Sequence, residues 1–343
     1  MFKIEGREIG PGAKPFIIAE MSGNHNHSLE RALQIAEAAK SAGADALKLQ
    51  TYTADTMTID FQSPDFVIHD EKSLWKGQSL YQLYQKAYTP WEWHEAIFKK
   101  CRELGIVGFS TPFDATAVDF LETLKVPCYK IASFENTDHL LLKKVAMTGK
   151  PVIISTGMAT LEEIAEAVSL LKKNGTSSIA LLKCTSSYPA LPDESNIVTI
   201  KDLYEKFPSC AVGLSDHTIG FGVAATSIAL GGSIIEKHFT LDRASGGVDA
   251  AFSAEPQEMK GLVDECNKAW RSLGKISYGP TDSEKASLIY RRSLYFVNDL
   301  KKGEKISPMN VRSIRPGLGL STKYYEDIMG RCVMKNVERG TPV

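Results

Sequence analysis

Two lysines, Lys48 and Lys130, stand alone among apolar neighbours: Leu47 and Leu49 flank one, Tyr129 and Ile131 the other. In a strand, alternate side chains face opposite ways, so each ammonium points to one face, inward if the strand is buried. A buried ammonium without a counter-charge is costly. Two of them imply either salt bridges to carboxylates of the chain or a small polyanionic ligand carrying carboxylate and phosphate together. Thr111, Ser133, Ser155 and Ser215 lie at the ends of similar apolar runs and can give neutral donors to the same anion. Glu20 ends such a run as well. It suits a general acid or base, or an ion-pair partner for one lysine. His217 and His238 close two successive runs, 21 residues apart. Two imidazoles converging on one rim make a candidate divalent-metal site completed by water and substrate oxygens. A structural zinc would need four protein ligands.

The elements that carry these residues are eight near-continuous apolar runs: Phe16–Glu20, 46–50, 107–113, 128–133, 152–157, 179–185, 211–217 and 234–239. Continuous apolarity is the mark of strands buried on both faces. Between them run helical periodicities, among them Leu29–Ala42, 90–104, Leu161–Lys173 and 222–230. In Leu161–Lys173 the apolar residues recur at three- and four-residue steps, and Thr160 with Glu163 forms a capping box. Eight βα units in about 275 residues predict a (β/α)8 barrel, with the active site at the C-terminal ends of the strands. The rival, an open doubly wound sheet binding a dinucleotide, lacks a GxGxxG turn after the first strand. Every run ends in polar or ionisable groups, Gln50 and Glu236 included. One interval is long: residues 55–77 are irregular, as a lid or binding loop would be. After residue 280 the pattern changes to short strand-like pieces and glycine turns. This predicts a barrel over 1–280 and a small module over 281–343, whose own core is marginal and which needs a surface to dock on.

Composition limits the function. The 343 residues are 43% hydrophobic and 24% charged, with a formal net charge of −1, which leaves no basic excess for nucleic acid. No apolar run reaches the length of a membrane span, and residues 1–12 lack the apolar core of a signal peptide. The six cysteines are scattered without a CxxC pair and read as buried free thiols. A cytoplasmic protein is expected.

Taken together, the motifs resemble the sialic acid synthase family over essentially the whole chain. They are Ala19-Glu20 with Gly23-Asn24-His25, Lys48-Leu49-Gln50, Ser110-Thr111-Pro112-Phe113, Tyr129-Lys130-Ile131-Ala132-Ser133, Ser155-Thr156-Gly157-Met158, Lys183-Cys184-Thr185-Ser186-Ser187-Tyr188-Pro189, Gly213-Leu214-Ser215-Asp216-His217 and Glu236-Lys237-His238-Phe239. Residues 313–317 are similar to the antifreeze-protein-like (SAF) domain that closes this family. Within it, Ser73-Leu74-Trp75-Lys76, residues 80–84, residues 89–94 and Ala132-Ser133-Phe134-Glu135 resemble the branch that makes pseudaminic acid. The branches that make N-acetylneuraminic or legionaminic acid are the alternatives; a non-catalytic carbohydrate-binding barrel is a remote one. Ser186 stands where N-acetylneuraminate synthases carry Asn. The resemblance implies condensation of phosphoenolpyruvate with an N-acetylated amino-sugar, and a homodimer with swapped C-terminal domains. It implies a divalent metal on His217 and His238, manganese above magnesium or cobalt. Lys48, Thr111, Lys130, Ser133, Ser155 and Ser215 match phosphoenolpyruvate-holding positions, and Gln50, Tyr188 and Asp249 match sugar-contacting ones. Arg315 matches the arginine that a partner's small domain inserts, and Glu20 is the candidate for managing protons. A pseudaminic product implies modification of flagellin or surface polysaccharide.

Overall fold

The computed structural model describes residues 1–69 and 75–343; part of the 55–77 stretch, including Ser73 and Leu74, lies outside the described residues. The chain divides into two compact units, Met1–Gly274 and Lys275–Val343, where the sequence reading drew the line at 280.

The first unit begins with an antiparallel hairpin of β1 (Phe2–Ile4) and β2 (Arg7–Ile9). Eight parallel strands follow: β3 (Phe16–Glu20), β4 (Ala46–Thr51), β5 (Val107–Pro112), β6 (Tyr129–Ile131), β7 (Val152–Ser155), β8 (Ile179–Cys184), β9 (Ala211–Asp216) and β10 (Ile234–His238). They close into a barrel in chain order, with β10 pairing back onto β3. This is the (β/α)8 architecture expected from the eight apolar runs.

Strand parity builds the interior in layers. Phe16, Ile18, Ala46, Phe109, Ile153, Leu182 and Ile234 belong to one buried apolar cluster, which Ile4 and Ile9 of the hairpin join beside the strand N-termini. The next inward position on each strand is Glu20, Lys48, Thr111, Lys130, Ser155, Cys184, Ser215 and Glu236. The alternate set (Ile17, Ala19, Leu47, Leu49, Ile131, Ile154 and their neighbours) packs outward against the helices. Among these helices Leu161–Lys173 carries the expected Thr160–Glu163 capping box. The interval between β4 and β5 holds more structure than its sequence suggests. Besides Trp91–Trp93 and His94–Leu104, it contains short helices at Ala54–Met57 and Leu80–Ala87.

The second unit pairs β11 (Ser293–Phe296) with β12 (Val311–Ile314), and Leu294, Phe296, Leu300, Ile306, Val311, Val333 and Val337 form its core. Five cysteines are buried and Cys332 is exposed, all free. No helix among the described residues is long and apolar enough to cross a membrane.

One glycine fixes how closely β9 and β10 approach beneath the ionic layer. A Cβ on Gly213 would come within 3.0 Å of both the Ile234 backbone oxygen and the Leu182 side chain. Backbone cannot yield as a side-chain tip does. Gly213→Ala is therefore expected to destabilise the chain by at least about 2 kcal/mol. Urea denaturation measures this, and an unchanged midpoint would contradict the close approach.

Candidate active site

The inward residues above the apolar layer form a connected ionic cluster. Register places Glu20 level with Lys48 on one side and with His238 on the other. Lys48 Nζ lies 2.9 Å from Glu20 Oε2 and 3.1 Å from Glu236 Oε2. Lys130 Nζ lies 3.6 Å from Glu236 Oε1 and donates to Ser155 Oγ at 2.7 Å and to the Ile131 carbonyl at 2.9 Å. Ser215 Oγ donates to Glu236 Oε1 at 3.2 Å. All four charged side chains are buried. The two lysines thus have carboxylate partners within the chain, the first of the two alternatives that their isolation in sequence left open. Glu236, assigned no role from sequence, is the group that joins them. Burial brings the Lys48 ammonium down to about 7 against the pull of Glu236. Burial also pushes the Glu236 carboxyl up, but Lys130 and then Lys48 reverse this and hold it below its ordinary value.

A second chain of contacts leads from Glu20. Gln50 Nε2 donates to Glu20 Oε1 (3.1 Å) and to Ser22 Oγ (3.0 Å), and Ser22 Oγ donates in turn to Asp249. Burial raises the Asp249 carboxyl. Ser186 Oγ donates to Ser133 Oγ at 2.8 Å.

The histidines converge. The rings of His217 and His238 are 5.4 Å apart, with the Tyr188 ring 4.5 Å from His217 and Phe252 5.0 Å from His238. His217 Nδ1 donates to the Thr185 carbonyl at 2.8 Å, which leaves Nε2 as the free lone pair. Burial lowers the His217 imidazole, but its contacts with Cys184 and the Thr185 carbonyl outweigh that and raise it. Burial, then its neighbour His217, pushes His238 well below its ordinary value. His238 Nδ1 is buried with no hydrogen-bond partner among the described residues. An imidazole with an orphaned nitrogen facing a second one fits a divalent metal. Among the described residues no group of three or more His, Cys, Asp and Glu is arranged to hold an ion.

These groups lie at the base of a cavity of about 420 Å³. Of the sequence candidates, Glu20, Lys48, Gln50, Lys130, Ser133, Ser155, Tyr188, Ser215, His217, His238 and Asp249 line it. Thr111 points inward, buried with an unpartnered hydroxyl, but is not among the lining residues. Arg315 belongs to the second unit, directly after β12. Glu135 lines the cavity too and was missed as a functional group, although its neighbours were singled out. Its Oε2 is buried without a partner, and burial raises the carboxyl to about 7.

The NeuB family model matches residues 35–278, most of the chain. The chain belongs to the NeuB family. A SAF domain matches residues 291–343. The pseudaminic acid synthase of Campylobacter jejuni strain 81-176 is 43% identical over 95% of this chain and 94% of that protein. An N,N'-diacetyllegionaminic acid synthase of C. jejuni is 38% identical over 94% and 97%. Among solved structures, N-acetylneuraminic acid synthetase of Leptospira borgpetersenii, in complex with citrate, superposes with a TM-score of 0.74 at 32% identity. That match covers 84% of this chain and 95% of the other.

Glu135 generates a stability prediction. Its folded pKa, about 7, lies above the unfolded value of 4.5, so the folded chain binds the extra proton between these pH values. Stability is lost as pH rises through that window and stays lost above it. Glu135→Gln removes the ionisable group. Relative to wild type it should gain on the order of 2–3 kcal/mol between pH 4.5 and pH 8. Thermal denaturation at the two pH values reads this, and a pH-independent difference would refute it.

Proposed function

We propose that this chain condenses phosphoenolpyruvate with 2,4-diacetamido-2,4,6-trideoxy-altrose to give pseudaminic acid and phosphate. The observation that carries the reading is Glu236 bridging two buried lysines beside a pair of convergent imidazoles at the base of one cavity. The 43% identity to a pseudaminic acid synthase favours this sugar.

In this reading His217 and His238 would hold a divalent metal, manganese, which would supply Lewis-acid polarisation of the open-chain sugar's aldehyde. Lys48 and Lys130 meet the carboxylate and phosphate of phosphoenolpyruvate, with Ser133, Ser155 and Ser215 as neutral donors. Carbon 3 of the enol phosphate attacks the aldehyde carbon, and the oxygen of that aldehyde becomes a hydroxyl with the proton that the attacking water gives up through Glu20. Water adds at carbon 2, and the tetrahedral intermediate expels phosphate by C–O cleavage. Glu20, held on one side by Lys48 and on the other by Gln50, accepts the proton of that water. Gln50, Tyr188 and Asp249 position the sugar. The remainder of the effect is positioning and preorganised charge. In this reading the protein works in the cytoplasm, where phosphoenolpyruvate is made, as a domain-swapped homodimer whose partner supplies Arg315.

The test is phosphate release from phosphoenolpyruvate with manganese, offering the altrose, the legionaminic precursor and N-acetylmannosamine separately. Turnover of the altrose is expected. Preference for another sugar would move the enzyme to another branch, and no turnover with any would end the catalytic reading. Glu20→Gln should cost 10²-fold or more in kcat; retention of a tenth of the rate would remove Glu20 from the chemistry. His238→Ala should lose manganese binding by calorimetry as well as activity, and normal binding would sink the metal assignment. Inactive Lys130→Ala and Arg315→Ala chains, mixed and reassembled, should recover partial activity. Verified mixed dimers without recovery would count against shared sites.

A further inference from the structure

The base of the cavity is ionic, but much of its wall is not. Met57, Ile68, Leu80, Leu83, Phe134 and Val248 line it as well. None comes from a barrel strand: four lie between β4 and β5, one follows β6 and one follows β10. In the helix Leu80–Ala87, residues 80, 83, 84 and 87 all reach the cavity, the spacing of a single helix face. The Trp75 indole N–H donates to the Val248 carbonyl at 3.3 Å and ties this segment to the loop after β10. Phe134 is 57% exposed, between Ser133 and Glu135, which both line the same cavity. A large ring left open to solvent at the wall of a cavity is available for contact with what enters it. Charge is distributed just as unevenly. Among the described lining residues the lysines are Lys48 and Lys130, both on strands, whereas the loops contribute the carboxyls Glu135 and Asp249.

Resting on the synthase reading above, we propose that this wall, with Phe134 as its specificity-determining residue, selects the sugar by its methyl groups and rejects a sugar phosphorylated at its tail. The methyls are those of a 6-deoxy carbon and of two acetamido groups. A hydroxyl set against this wall gives up its water without gaining a partner, while one methyl group in an apolar site is worth roughly tenfold or more in discrimination. A terminal phosphate set against this wall would meet carboxyls and apolar side chains, since among the described lining residues both lysines lie on the strands.

The experiment compares wild type with Phe134→Ala and, independently, Met57→Gln. For each, kcat/KM is measured with the diacetamido-trideoxy sugar, and N-acetylmannosamine is followed as substrate or competitor. N-acetylmannosamine 6-phosphate is tested as a third sugar, with KM for phosphoenolpyruvate and the melting temperature as controls. The expected result is a loss of about tenfold or more with the methyl-rich sugar in each variant. Its preference over N-acetylmannosamine should fall by a similar factor, with KM for phosphoenolpyruvate within twofold of wild type. The phosphorylated sugar should be turned over poorly by all three proteins. Equal losses with both unphosphorylated sugars, or comparable wild-type use of the 6-phosphate, overturn the proposal. A wild-type enzyme that ignores the diacetamido sugar defeats the assigned reaction instead. One that uses it, but keeps its selectivity in both variants, defeats the wall alone.

Discussion

Two ammonium groups inside a barrel set the terms for everything above them. Each buried charge left alone would cost several kcal/mol, and the chain answers with two carboxylates, Glu20 and Glu236, packed around Lys48 and Lys130. The formal charges of the four sum to zero, so each lysine has a carboxylate beside it before any ligand arrives. It also means that the lysines are not free positive charges awaiting an anion. Phosphoenolpyruvate carries about three negative charges near neutral pH. In the proposed reading a divalent metal on the imidazoles and the guanidinium of Arg315 bring three positive ones. The neutral cluster then acts as an oriented set of donors, and the net charge of the anion is met from elsewhere.

That arrangement depends on strand parity and register more than on any single contact. Glu20, Lys48, Lys130 and Glu236 occupy the same inward layer because each lies two positions along its strand from an apolar inward residue: Ile18, Ala46, Cys128 and Ile234. A one-residue slip of any strand would send its charged group outward among the helices. Gly213 and the hairpin residues Ile4 and Ile9 serve the site from below, the first by letting β9 and β10 approach, the others by filling the barrel beside the strand N-termini. Rigid packing there keeps two lysines, two carboxyl groups and two imidazoles in fixed relation above.

Much of this was legible in the sequence, and the omissions have physical reasons. Eight apolar runs gave the barrel, and the isolation of Lys48 and Lys130 between apolar neighbours gave their direction. The bridging role of Glu236 was hidden because its partners lie on β4 and β6, and a sequence does not show what meets across a barrel. Glu135 was quoted only within a motif and given no role, because a sequence does not show the wall that buries its carboxyl. The helix Leu80–Ala87 was readable in principle, since Leu80, Leu83, Tyr84 and Ala87 follow a helical period. Eight residues after an irregular stretch offered too short a window for it to stand out. Thr111 shows the limit of parity: it points inward as expected, yet is not among the residues that line the cavity.

The division of labour within the cavity follows from which elements are free to vary. The ionic base is made by strands, whose side chains are fixed by hydrogen-bonded neighbours on both sides, and a change there would break the charge balance. The apolar wall is made by the segment between β4 and β5 and by the loops after β6 and β10, where a substitution alters shape and polarity without touching the lysines, the carboxylates or the imidazoles. Loops on a rigid scaffold are where binding preferences can change at low structural cost. One barrel can therefore keep a single bond-forming chemistry while its wall is recast for a different sugar. This is consistent with relatives at 43% and 38% identity carrying the names of synthases for two different sugar acids. In the proposed reading the ionic base of this chain carries the bond-forming step, and the wall is where a difference in substrate can be accommodated.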